Sequence, residues 1–201
     1  MILPNQLTTL RIFLTPVFLY LFLSDNPIMK QLSLAVFIIA AITDWYDGWL
    51  ARKFDYITTW GKFLDPLADK ILTSTAFLAF AFTGIVDLWM VLIIIFRDIL
   101  ITLLRIYAEY KGYSFVTSKS AKVKTFLQMV FIYYLLLVFT FKTVSYIKLN
   151  FANLLSQLSD ATLIYYSMAI VTLITFVTGV QYILNNRTLI KKLFNFGTNN
   201  N

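Results

Sequence analysis

Residues 44–70 read DWYDGWLARKFDYITTWGKFLDPLADK, and the rest of the chain is read outward from them. Only 13% of the 201 residues are charged, yet this stretch gathers Asp44, Asp47, Asp65 and Asp69 around Arg52. On a helix, Asp44, Asp47, Gly48, Ala51 and Arg52 fall at i, i+3, i+4, i+7 and i+8, which is one face. Gly61, Asp65 and Asp69 fall at i, i+4 and i+8, one face of the next helix. Two acidic faces on neighbouring helices, joined by a connector around 54–60, are placed to close around metal ions.

The flanking chain is strongly apolar, with 59% hydrophobic residues overall and a mean hydropathy of +0.75. Average soluble domains carry about 25% charged residues, so the apolar excess predicts an all-α, polytopic membrane protein. A run at 12–23 reaches the roughly 20 residues of a span if 7–10 belong to the same helix. Further spans are predicted from about 32 into the Asp44 motif, and at 66–83, 88–109, 123–141 and 161–184, six in all. Residues 4–11, PNQLTTLR, form a short juxtamembrane prelude. Ser24-Asp25-Asn26-Pro27 signals a turn, Gly84 stops the third span, and Asp87 is placed to cap the fourth. Residues 1–190 read as a single membrane domain, and 191–201 as a basic tail expected to be disordered. The N-terminus lacks a basic n-region and a small-residue cleavage site, so a cleaved signal peptide is not expected.

The chain contains no cysteine and no histidine. That excludes thiolate metal sites, a cysteine nucleophile and histidine-based triads. A metal site must use oxygen ligands, which favours Mg²⁺, Mn²⁺ or Ca²⁺ over Zn²⁺. A general base must be Asp, Glu, Lys or Tyr. The net charge of +7 reflects topology and anionic lipid in such a chain, not nucleic acid. With six spans both termini share one side, and that side carries thirteen Lys and Arg against Lys30, Lys142 and Lys148 opposite. The positive-inside rule then puts both termini and the 44–69 stretch on the cytoplasmic side of the membrane.

Taken singly, the acids have ordinary readings. Asp65 before Pro66 makes a good helix N-cap with proline at N1, and Asp44 or Asp47 could pair with Arg52. Together they do not, because ionisable groups inside spans cost about 3 kcal/mol each and clustered carboxylates repel unless cations neutralise them.

Asp44, Asp47, Gly48, Ala51, Arg52, Gly61, Asp65 and Asp69 fill the pattern D-x2-D-G-x2-A-R-x8-G-x3-D-x3-D. This resembles the signature of CDP-alcohol phosphotransferases, with every position present. The resemblance implies a six-helix membrane enzyme, a homodimer, that moves a phosphatidyl-type group from a CDP-linked donor to an alcohol and releases CMP. It implies two divalent ions, Mg²⁺ or Mn²⁺, held by Asp44, Asp47, Asp65 and Asp69, with Asp69 also the general base. It implies a donor pocket of Thr8, Asp47, Gly48, Ala51, Arg52 and Gly61. Two metal ions suit the chemistry, since they clamp a diphosphate during in-line displacement.

The segments at 4–12, 42–52, 62–70, 97–105 and 121–129 are similar to the bacterial phosphatidylglycerophosphate synthase branch of that family, a resemblance that covers roughly residues 3 to 130. Asp98, Leu103 and Ala121 depart from that branch, where Glu, Gly and Gly are usual, and the C-terminal third matches in hydropathy only. The implied substrates are CDP-diacylglycerol and glycerol 3-phosphate. Asp98, Thr102, Arg105 and Glu109 form a polar stripe at i, i+4, i+7 and i+11 on the fourth helix. Lys122, Lys124, Thr125 and Gln128 open the fifth. Arg105 with Lys122 or Lys124 could bind the acceptor phosphate, the alternative for the lysines being positive-inside decoration. For Arg97 and Asp98 the alternative to a substrate role is an ion pair. Two rival functions stand beside this one: a cardiolipin synthase of the same superfamily, taking phosphatidylglycerol, and a cation transporter. Transporters place their sites near the midplane between repeats, whereas these acids gather at one mouth and no repeat is visible.

Overall fold

The structure, a computed structural model, describes the backbone of residues 3–54, 59–113, 115 and 119–194. Within these ranges the side chains of 3–6, 44–45, 47–54, 59–65, 119 and 194 lie outside the description. The described residues form helices and no strand: α1 (Leu3–Leu23), α2 (Pro27–Phe54), α3 (Thr59–Phe82), α4 (Leu88–Tyr110), α5 (Lys119–Phe141), the short α6 (Ser145–Asn150) and α7 (Ala152–Leu158), α8 (Ala161–Asn185) and α9 (Arg187–Phe194).

The turn read at 24–27 is in place. Asn26 Oδ1 accepts the Ile28 amide at 2.9 Å, and Pro27 takes the first helical position of α2, where its missing N–H costs nothing. Gly84 ends α3 in the left-handed region at φ +71°, while Ile85 N–H bonds back to the Phe80 carbonyl. Asp87 stands at the N-cap of α4 but its side chain makes no capping bond. Asp160 does cap α8, accepting from the Leu163 amide at 3.0 Å.

α1 packs on α2 and α3, α4 on α3 and α8, and α5 on α8 and α2. Between apolar helices in lipid the hydrophobic drive is lost, so close packing must hold them together. Small buried residues allow that: Ala40 on α2, and Ala68, Ala76 and Ala79 on α3. Aromatic rings fill what remains, with Phe18 5.2 Å from Phe37 and Phe22 5.4 Å from Phe80.

α5 from Ser120 and α8 are long and apolar enough to cross a membrane, and 7–23 and 27–43 are shorter apolar stretches. The all-helical prediction therefore holds, and the apolar helices fit a membrane protein. Two expectations change, the start of the third helix and the disorder of the tail, and one segment on which the sequence was silent takes shape. α3 begins at Thr59, not near 66, and Pro66 lies inside it, so Asp65 is no N-cap. Proline deletes one ladder bond per helix, a loss that neighbouring groups absorb in buried helices. Residues 145–158 form the two short helices α6 and α7, tied back where the Tyr134 hydroxyl donates to the Leu158 carbonyl. The basic tail is helical as far as Phe194, because Leu193 buries against Phe115, Ala108 and Tyr182. Residues 195–201 lie outside the described residues.

Candidate active site

At the end of the bundle where α3 and α5 begin and α4 and α8 finish, the four helices line a cavity of about 560 Å³. α3 supplies Pro66, Asp69 and Lys70; α4 supplies Arg97, Asp98, Thr102 and Arg105; α5 supplies Lys122, Lys124 and Thr125; α8 supplies Tyr182. From Arg105 at its mouth to Arg97 at its floor, the cavity follows α4 for about 12 Å, at 1.5 Å per residue.

The floor is a buried ion cluster. Asp98 and Lys124 are 4% and 1% exposed and bind each other directly. Arg97 Nη1 lies 3.2 Å from the same Asp98 oxygen, and its Nη2 donates to Thr178 Oγ1 at 3.3 Å. One carboxylate thus faces two cations and offsets half of their charge; buried charges need such partners. Gly179 makes the arrangement possible, since a Cβ there would stand 2.7 Å from Arg97 Cγ. One turn deeper, Gln128 donates to Thr175 Oγ1 at 3.4 Å.

The mouth is wetter and its pairs are looser. Asp69 Oδ2 lies 3.1 Å from Lys70 Nζ, with the aspartate side chain 32% exposed. Arg105 reaches Glu109 only at 3.9 Å, with both side chains about half exposed. Such pairs contribute little, about 0–1 kcal/mol, so Arg105 and the exposed Lys122 are at liberty to meet an anion.

The structure thus brings Asp69, Arg105, Lys122 and Lys124 into one cavity. Arg97 makes the ion pair with Asp98 that its position suggested. Lys124 is no surface decoration: it is buried and engaged by Asp98. Thr8 is buried on α1. Asp44, Asp47, Gly48, Ala51 and Arg52 fall on α2, and Gly61 and Asp65 on α3, but their side chains lie outside the described residues. Among the described residues no group of three or more potential ligands is assembled for a metal ion. Sequence reasoning missed the part of α8: Tyr182 on the cavity wall, and Thr178 and Gly179 against Arg97. Its signal was present as Thr172, Thr175, Thr178, Gly179 and Tyr182 recurring at helical spacing in an apolar span.

A sequence-family model described as CDP-alcohol phosphatidyltransferase matches residues 1–154. The chain belongs to this family of transferases, and the transporter reading falls away. Among its curated relatives, a Rickettsia typhi protein named CDP-diacylglycerol–glycerol-3-phosphate 3-phosphatidyltransferase is 39% identical over 127 residues, covering 63% of this chain and 71% of its own. Proteins of the same name from Bacillus subtilis and Salmonella typhimurium are 37% identical over 147 residues and 39% identical over 139. These matches cover 67% and 66% of this chain, and 76% and 75% of the relatives.

Proposed function

We propose that the chain transfers the phosphatidyl group of CDP-diacylglycerol to glycerol 3-phosphate, giving phosphatidylglycerophosphate and CMP. The observation that carries this reading is the cavity that Asp69 lines together with Arg105, Lys122 and Lys124: a carboxylate base beside a basic pocket sized for a small phosphorylated alcohol. The names of the relatives support the same substrates.

Enzymes of this family generally depend on divalent metal ions. The donor set suits a hard cation, being carboxylates in a chain without histidine or cysteine, and Asp69 lies open in the cavity wall. Asp44, Asp47, Asp65 and Asp69 would hold two ions, whose chemistry is to neutralise the donor diphosphate. Thr8, Asp47, Gly48, Ala51, Arg52 and Gly61 would bound the CDP moiety, the small residues permitting close approach of the helix backbone. Arg105 and Lys122 hold the acceptor phosphate at the mouth, with Lys124 adding charge from the floor. Asp69 takes the proton from the 1-hydroxyl of glycerol 3-phosphate as its oxygen bonds to the β-phosphorus. The bond from that phosphorus to the CMP oxygen breaks, and CMP leaves with the electron pair.

Six spans, cytoplasmic termini and a homodimer complete the proposal. The count takes α1, α2, α3, α4, α5 and α8 as the spans, which places Gln31 and Thr143, joined at 3.3 Å, on the outer side and the cavity on the inner. The test is CMP release by the purified protein with Mg²⁺ or Mn²⁺, CDP-diacylglycerol and a panel of alcohols. Release with glycerol 3-phosphate is expected. No release with any alcohol rejects the transferase chemistry, and release with phosphatidylglycerol alone moves the assignment to cardiolipin synthesis.

A further inference from the structure

Tyr182 stands apart from the ion pairs of the cavity. It is 4% exposed and its ring packs edge-on against Phe115 at 5.7 Å and 79°. It lines the cavity, yet its hydroxyl has no hydrogen-bond partner among the described residues. Buried tyrosine hydroxyls normally find a partner, since leaving one unpaired costs about 1–3 kcal/mol. Arg97 Nε, lining the same cavity, is also buried without a partner. Both are groups that can donate.

Charge says what they would donate to. Lys70, Arg97, Arg105, Lys122 and Lys124 line the cavity against Asp69 and Asp98. Among the described lining residues, pairing Lys70 with Asp69 and Lys124 with Asp98 still leaves a cationic surplus beside two idle donors. The complement is an acceptor-only anion, and a phosphate monoester fits. α8, which carries Tyr182, lies wholly beyond the 1–154 that match the family, so neither the family motif nor the matched segment accounts for this wall.

We infer that Tyr182 is a specificity-determining residue for the acceptor: its hydroxyl donates a hydrogen bond to a phosphate oxygen of the phosphorylated alcohol seated in the cavity. The inference rests on the proposed reaction and deepens it, because it names the wall that favours a phosphorylated acceptor over a neutral alcohol. The phosphate could equally be that of the donor lipid, and the test separates the two.

Tyr182→Phe removes one oxygen and keeps the ring on Phe115. In the purified full-length protein, the affinities for glycerol 3-phosphate and inorganic phosphate are read by calorimetry without turnover. KM for each substrate is then read from CMP release. Both phosphate affinities should weaken about tenfold and the acceptor KM should rise by a similar factor, with the donor KM within twofold. Unchanged phosphate affinity overturns the inference. So does a larger loss on the donor KM than on the acceptor KM, or failure of the wild-type protein to bind either phosphate probe. If Tyr182→Phe weakens phosphate binding while wild-type CMP release occurs only with a different phosphorylated alcohol, the Tyr182 role stands and the choice of glycerol 3-phosphate falls.

Discussion

Asp69 and Arg105 carry opposite halves of the proposed chemistry, and their surroundings separate the consequences of losing each. Asp69 is partly exposed and among the described residues pairs with its neighbour Lys70, so Asp69→Asn should fold normally. It should lower kcat by about 10²–10⁴, the range for a positioned base, while CDP-diacylglycerol binding stays detectable in equilibrium measurements. Turnover within a few-fold of wild type would remove Asp69 as the base. Among the described residues Arg105 has a loose, exposed partner in Glu109. Arg105→Ala should therefore leave the melting temperature nearly unchanged and raise the acceptor KM more than the donor KM. Equal effects on both would argue against an acceptor-phosphate role. These residues were legible in the sequence because charge is conspicuous in an apolar chain. The environment of Lys124 was not: spacing placed it on the correct face, but only the fold reveals Asp98 against it.

Among elements, α4, α5 and α8 meet around the Arg97–Asp98–Lys124 cluster, which links the three helices through Asp98 and Thr178. Asp98→Ala leaves two buried cations without a carboxylate, a defect of about 3–5 kcal/mol; it should lower the thermal midpoint in detergent far more than any mouth substitution. Gly179→Ala tests the same contact from the other side. The helix gains up to about 1 kcal/mol in propensity, but a Cβ set 2.7 Å from Arg97 Cγ must displace the arginine stem. Overpacking of that kind costs about 1–3 kcal/mol, so a net loss of stability is expected. A midpoint equal to or above wild type would show that Arg97 yields freely. The polar stripe of α4 could be read from sequence because its groups are charged. α8 hides its polarity, since Thr172, Thr175 and Thr178 each return their hydroxyl to a carbonyl of their own helix. Hydropathy alone registers such residues as nearly neutral. α3 misled the reading for another reason: a proline usually opens a helix, but here Pro66 is carried inside one.

At the scale of the molecule, the segment 44–69 first presents itself as acid gathered at a membrane, and the bundle places its described end, Asp69, at one mouth of the helices. The charge asymmetry then predicts which side that mouth faces. The native chain has no cysteine, so single cysteines report topology cleanly. Leu149→Cys, at an 81% exposed position on α6, should react with an impermeant maleimide on intact cells, and Lys192→Cys only after permeabilisation. The reverse pattern would invert the topology and put the cavity outside. Chelation of divalent ions should abolish CMP release, with recovery on adding Mg²⁺ or Mn²⁺; activity that survives chelation would contradict the metal-assisted reading. The most direct measurement follows one atom. Glycerol 3-phosphate labelled with ¹⁸O in its 1-hydroxyl is turned over with CDP-diacylglycerol, and both products are weighed by mass spectrometry. Attack of that oxygen on the β-phosphorus predicts phosphatidylglycerophosphate carrying the label and CMP without it; label in CMP, or no labelled lipid at all, would contradict the proposed reaction.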